Sequence, residues 1–145
     1  MKKVLSVLIS SFIFFMIFSP LSVEASNEDD VLAQINAYRA SAGLSAVSMD
    51  EDLQSIAAVR AEECAEKFSH TRPNGQAWHT VSPNTKGENL AHAVNYNQQK
   101  PENVVYAWIL SPSHSANVLR TTFSSAGIAY YTSDSGETYI ACEFK

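Results

Sequence analysis

The chain has 145 residues, with 10 Lys and Arg against 15 Asp and Glu and a formal net charge of −5. That length suits one domain with a core of its own. The acidic balance, with no basic cluster, excludes nucleic acid and anionic lipid headgroups as partners.

A leader comes first in chain order. Met1-Lys2-Lys3 is positive, Val4 to Phe18 is apolar apart from Ser6, Ser10 and Ser11, and Pro20 breaks the run. Val23-Glu24-Ala25 then offers the small-x-Ala pattern of a signal-peptidase site. We expect a signal peptide over residues 1–25, cleavage after Ala25, and a secreted domain of residues 26–145. The apolar run is shorter than the ~20 residues of a spanning helix, so no stable membrane insertion is expected after cleavage; the alternative is an uncleaved anchor. Removing Lys2, Lys3 and Glu24 leaves 8 basic and 14 acidic residues, a net charge of −6.

Acidic residues at 28–30 precede an apolar face of Val31, Leu32, Ile35, Tyr38 and Ala42, and Gly43 is a natural stop, so a helix is predicted over residues 28–42. Ser48 and Glu51 fit a capping box, with Leu53, Ile56, Ala57, Ala61, Cys64 and Phe68 as the stripe of a second helix. Residues 71–86 are loop-like, with Trp78 expected to pack inward. Residues 88–94 read equally as a short strand or the start of a helix. Pro101 suits the first position of a third helix. Ser111-Pro112 reads as N-cap and first residue of a short fourth helix ending near Leu119, with His114 in its first turn. The runs 125–132 and 137–144, joined by Asp134-Ser135-Gly136, predict an antiparallel hairpin.

Three acid–base residues sit at the ends of these elements: His70, Glu88 and His114. Taken singly, each reads as an ordinary surface or capping residue. Together, two neutral imidazoles and a carboxylate make a three-ligand set for zinc or another divalent cation with an open fourth position. The dipole of the fourth helix is expected to favour the neutral form of His114. His79 and His92 are expected to be non-ligands. There is no His-Glu-x-x-His pair, no Gly-x-Ser-x-Gly elbow and no phosphate-binding glycine loop. Cys64 and Cys142 are the only cysteines. In an exported chain one disulfide between them is the expected arrangement, two buried free thiols the alternative.

These segments resemble the CAP superfamily of cysteine-rich secretory proteins, antigen five and pathogenesis-related proteins, in its bacterial form. The likeness is carried by Asn36-x-x-Arg39 with Gly43-Leu44, by Phe68-Ser69-His70-Thr71-Arg72-Pro73-Asn74-Gly75, and by Gly87-Glu88-Asn89-Leu90. It continues in Trp108-x-x-Ser111-Pro112-x-His114-x-Ala116-Asn117-x-Leu119 and in the closing Tyr139 to Phe144 run. The resemblance implies an α+β fold, an α-β-α sandwich with a small antiparallel sheet between helical layers. It also implies a shallow cavity lined by His70, Glu88, His114 and Asn117, with metal binding in some relatives. Ser111 stands where many eukaryotic members carry a second Glu. Bacterial relatives often have Gln where Cys142 falls, and on that alignment Cys142 points inward, which supports the bridge.

The function expected is a secreted binding or interaction module, a monomer, for an extracellular small-molecule, lipid or protein ligand. The alternative is a metal-assisted hydrolase using the same cavity, with Glu88 or an imidazole as general base.

Overall fold

The computed structural model describes residues 25–145, so the expected leader lies, Ala25 apart, outside the described residues. In chain order come α1 (Asn27–Ser41), β1 (Ser48–Met49), α2 (Glu51–Glu66), a short 3-10 turn (Trp78–Val81) and β2 (Gly87–Ala93). Then follow α3 (Pro101–Leu110), α4 (Pro112–Val118), β3 (Ser125–Thr132) and β4 (Thr138–Phe144). Among the described residues no helix is long and apolar enough to cross a membrane.

Local chemistry accounts for most element ends. Ser26 caps α1, its Oγ accepting from the Asp29 N–H. Gly43, at φ 73°, closes the same helix: its N–H donates to the Ala40 carbonyl and the Leu44 N–H to Arg39, a Schellman arrangement. Pro101 and Pro112 open α3 and α4 as expected. The start of α2 differs from expectation. Its N-cap is Asp50, whose Oδ1 accepts from the Leu53 N–H at 3.0 Å. Ser48 is drawn instead into β1, which pairs parallel with β3 through Ser48↔Ser125 and Met49↔Ala126. Residues 87–93, undecided from sequence, form a strand because β4 supplies a full antiparallel partner.

The strands lie in the order β1-β3-β4-β2. Alternation along them sends side chains to two separate layers. Ala126, Ile128, Ile140, Cys142 and Phe144 meet α1, α3 and α4 through Val31, Ile35, Val104, Val105, Trp108 and Val118. Leu90, Ala129, Tyr139 and Ala141 meet Ala57, Ala61 and Cys64 of α2 on the other face. The result is the α-β-α sandwich, with the sheet as the middle layer. The α2 face is built from small residues, so helix and sheet approach closely. A Cβ at Gly127 would lie 2.1 Å from the Leu53 carbonyl carbon and the Gln54 nitrogen, an overlap that only backbone movement relieves.

β2 is a terminal strand, and its outward carbonyls would be orphaned without partners. The Asn117 amide donates to the Glu88 carbonyl at 3.2 Å, and the Trp108 indole donates to the Leu90 carbonyl at 3.0 Å. These two bonds dock α3 and α4 onto the strand that carries Glu88. Buried Arg39 ties the far end of α4 in place, donating to the carbonyls of Ser45, Val118, Arg120 and Phe123 at 2.8–3.1 Å.

The expected Cys64–Cys142 bridge is corrected: both cysteines are free and buried. The cause is the pleat. Cys142 faces the α1/α3/α4 layer and Cys64 belongs to α2 on the opposite side, so the sheet itself separates the sulfurs. Burial pushes the Cys64 thiol up to about 11 and holds that of Cys142 well above its ordinary value, so both are inert while the fold is intact. Thiol titration without reductant is therefore expected to give no fast-reacting groups in the folded protein and two per chain after unfolding in denaturant. An absence of thiols after unfolding would contradict this arrangement.

Candidate functional site

The site begins where α2 ends. Lys67 leaves the helix in an extended conformation, and Ser69 follows with its carbonyl accepting from Arg60 Nη2 at 2.8 Å. His70 is thereby placed at the mouth of a tight loop. The Trp78 N–H donates back to the His70 carbonyl at 2.8 Å, Thr71 bridges to Ala77, and Gly75 turns the chain at φ 84°. Arg72 fastens this loop to α2 through a bidentate pair with Glu63, with Nη2–Oε1 at 2.6 Å.

Glu88 lies beneath His70, with a side chain only 1% exposed. Its Oε1 accepts from His70 Nδ1 at 2.7 Å and from Arg60 Nη2 at 3.3 Å, and its Oε2 accepts from Arg60 Nε at 2.6 Å. Arg60, fully buried, also donates through Nη1 to Glu63 at 2.5 Å. Burial disfavours both charges, but the mutual bonds outweigh it. The Glu88 carboxyl is held below its ordinary value by His70, Arg60 and Glu143, and the Arg60 guanidinium is raised above its own.

A second carboxyl stands directly across the sheet, in the register pair Glu88↔Glu143. Glu143 is fully buried, accepts at Oε2 from the Thr85 hydroxyl, and has no protein partner at Oε1. Burial first, and the neighbouring Glu88 charge second, push its pKa up to about 9. At neutral pH it is the acid of the pair, set beside the ionised Glu88 carboxylate.

His114 comes from the first turn of α4, its backbone carbonyl accepting from Asn89 Nδ2 at 3.0 Å. Burial, and then the charge of His70, lower its pKa and favour the neutral imidazole. The His70 and His114 rings lie with centroids 6.2 Å apart and planes tilted by 53°. Asn117 lies below them, donating to Asn89 Oδ1 at 2.9 Å as well as to the Glu88 carbonyl. Gly87 leaves room for the floor: a Cβ there would meet the Phe123 ring at 2.8 Å. The cleft so formed has a volume of about 300 Å³ and is lined by His70, Trp78, Lys86, Glu88, His114 and Asn117 among others. Trp78, expected to pack inward, is half-buried and forms one wall.

The model of the cysteine-rich secretory protein (CAP) family matches residues 32–144. The chain belongs to that family. Similar proteins include the uncharacterized protein YkwD of Bacillus subtilis, 34% identical over 125 residues, which cover 81% of this chain and 47% of that protein. This CAP chain thus spans about half the length of that relative. Among solved structures, an outer surface protein of Borrelia burgdorferi is similar at a TM-score of 0.66 and 21% identity, covering 83% of this chain and 94% of that one. The structure of NaASP2 with Zn2+ is similar at 0.63 and 14% identity, covering 81% and 78%. At those identities the likeness of the two structures is one of fold.

The four cavity residues read from the CAP motifs do converge on one cleft, but not on one role. Both oxygens of Glu88 are engaged by protein donors, and among the described residues no group of three or more His, Cys, Asp and Glu side chains is arranged to hold a metal ion. His92 stacks on Tyr139 at 4.6 Å and bonds Glu137, away from the cleft. His79 packs edge-on against Trp78. Ser111, where the resemblance implies a second Glu in many eukaryotic members, forms a hydroxyl pair with Ser113. The second carboxyl near Glu88 comes instead from β4, below the cleft floor.

Sequence reasoning missed Arg60 and Glu143. The signals were there: Arg60 falls on the buried stripe of α2 beside Ala57, Ala61 and Cys64, and Glu143 alternates with Tyr139 and Ala141 on the α2 face of β4.

The buried acid has a pH signature. Glu143 titrates at its ordinary value of 4.5 when unfolded and at about 9 when folded. Its contribution to stability is intact below the lower value and is lost progressively as pH rises toward the upper one. Glu143→Gln keeps the size and shape of the side chain and removes the titrating group. Its melting temperature is expected to exceed the wild type's by ~3 °C or more at about pH 8 and to converge with it near pH 4. Parallel melting curves at all pH values would contradict the assignment.

Proposed function

We propose that the chain is a secreted CAP-domain binding module whose cleft takes a divalent cation, zinc foremost, between His70 and His114. The observation that carries this is the approach of the two imidazoles across an open cleft, with Glu88 fixed beneath one of them. Because His70 Nδ1 donates to Glu88, the Nε2 lone pair of His70 is the one left for a ligand. The lowered pKa of His114 keeps its ring in the metal-binding form. Glu88 acts from the layer behind, orienting His70. Two protein donors leave further coordination positions to water or to a bound molecule. When bound, the ion supplies a positive centre that holds an anionic or carbonyl oxygen.

NaASP2, a protein of the same fold, has a structure with Zn2+, and another of that fold is an outer surface protein. Both agree with an extracellular metal- or ligand-binding role, as does the leader read from residues 1–25. Binding is favoured over hydrolysis on one ground. The only carboxylate lining the cleft is locked between Arg60 and His70, and neither imidazole bonds a hydroxyl or thiol among the described residues. A general base or an activated nucleophile would need a freer partner.

Calorimetric titration of the chelator-treated protein with zinc tests this. One ion per chain is expected, with affinity reduced at least about tenfold by His70→Ala, by His114→Ala and by Glu88→Gln. An absence of binding, or affinity unchanged in both histidine variants, would overturn it.

A further inference from the structure

Residues 25–145 contain eight Lys and Arg residues, and half of them are satisfied inside the protein. Arg60 and Arg72 pair with Glu63 and Glu88, Lys145 pairs with Asp50, and Arg39 is buried against four carbonyls. Lys67, Lys86, Lys100 and Arg120 have no carboxylate partner among the described residues. Two of these four, Lys86 and Arg120, line the same cleft as His70 and His114.

Neither head group is left loose. Lys86 Nζ donates to the Pro83 carbonyl at 2.8 Å, and the Arg120 guanidinium lies over the Phe123 ring at 5.1 Å. The acidic residues are elsewhere. Glu88 alone among them reaches the lining, and Arg60 neutralises it from below. A domain of net charge −6 therefore places two cationic side chains without carboxylate partners at this cleft.

The cleft also has a continuation. A second hollow of about 310 Å³ shares Trp78 and Lys86 with the first, extends to His79, and has no acidic residue in its lining. The two hollows adjoin at Trp78 and Lys86, which line both.

We propose that the two hollows act as one trough that recognises an anionic organic ligand, its carboxylate or phosphate group held between Lys86 and Arg120 and its body laid against Trp78 toward His79. This rests on the reading of the cleft as a binding site and adds the charge class of what it binds. Arg120 supplies a planar fork suited to either oxyanion, and Lys86 a point charge. The polar lining and the open form of the trough suit a solvated anion rather than an acyl chain.

Phenyl phosphate, benzoate and the neutral benzamide serve as probes, with the two tryptophan indole N–H resonances as reporters in two-dimensional NMR. Titrations are run on the purified protein with chelator and again with zinc. Both anions are expected to shift the Trp78 signal, in chelator as well as in zinc, while the signal of buried Trp108 stays put and benzamide has no effect. Comparison of the two anions shows which oxyanion is preferred. Lys86→Glu and Arg120→Glu are each expected to weaken binding about tenfold with an unchanged spectral dispersion, and added salt to weaken it further. Equal shifts from benzamide would overturn the inference. So would the absence of any shift, or binding that needs zinc and ignores both charge reversals. Zinc binding without anion binding would sink this inference and leave the metal site standing, and anion binding by a protein that takes up no zinc would do the reverse.

Discussion

Arg60 and Glu88 meet in the joint between α2 and β2, where almost no water reaches either side chain. Removing two charges from water costs several kcal/mol each, and the pair is tolerable only when the remaining donors and acceptors are filled. Here they are. Arg60 distributes its N–H groups over Glu88, Glu63 and the Ser69 carbonyl, and Glu88 completes itself with His70. Loss of either partner would strand the other, a penalty of about 3–5 kcal/mol. That constraint explains why the helix end, the loop behind it and the strand below it hold one relative position.

The chemistry of the surface follows from this buried charge. Glu88 is ionised but not available, so its influence on the cleft passes through His70. Glu143 remains an acid because the carboxylate opposite it is already negative and both lie out of water. Glu63 extends the same network outward to Arg72 and so to the loop that carries His70 and Trp78. On the other side of the cleft, Asn89 and Asn117 connect β2 to α4 and present His114. The visible cleft is then a pair of imidazoles with an uncompensated cationic rim, standing on a core of compensated charge.

Much of this was legible in the sequence, for physical reasons that differ by element. α1, α3 and α4 announce themselves through caps, prolines and apolar stripes, all of which are local. The hairpin is read from alternation and from the Asp134-Ser135-Gly136 turn. β1 was not readable, since two residues pairing with a strand more than seventy positions away leave no local pattern. That distant pairing also moved the cap of α2 from Ser48 to Asp50. The motifs brought His70, Glu88, His114 and Asn117 to one place, yet the presence of a carboxylate says nothing of what already occupies its oxygens. The cysteine pair misled because an even count carries no information about which face of a sheet each side chain takes. Arg60 and Glu143 lay in patterns that mark burial, and a charged residue on an otherwise apolar face was the signal that a buried partner was needed.

The central claim is that the Arg60–Glu88 pair fixes His70 with its Nδ1 proton directed inward and Nε2 directed into the cleft. Long-range proton–nitrogen NMR correlation of the histidine rings in the metal-free protein at alkaline pH measures this directly. His70 is expected to be predominantly the Nδ1–H tautomer. A His70 ring found predominantly as the Nε2–H tautomer would contradict it.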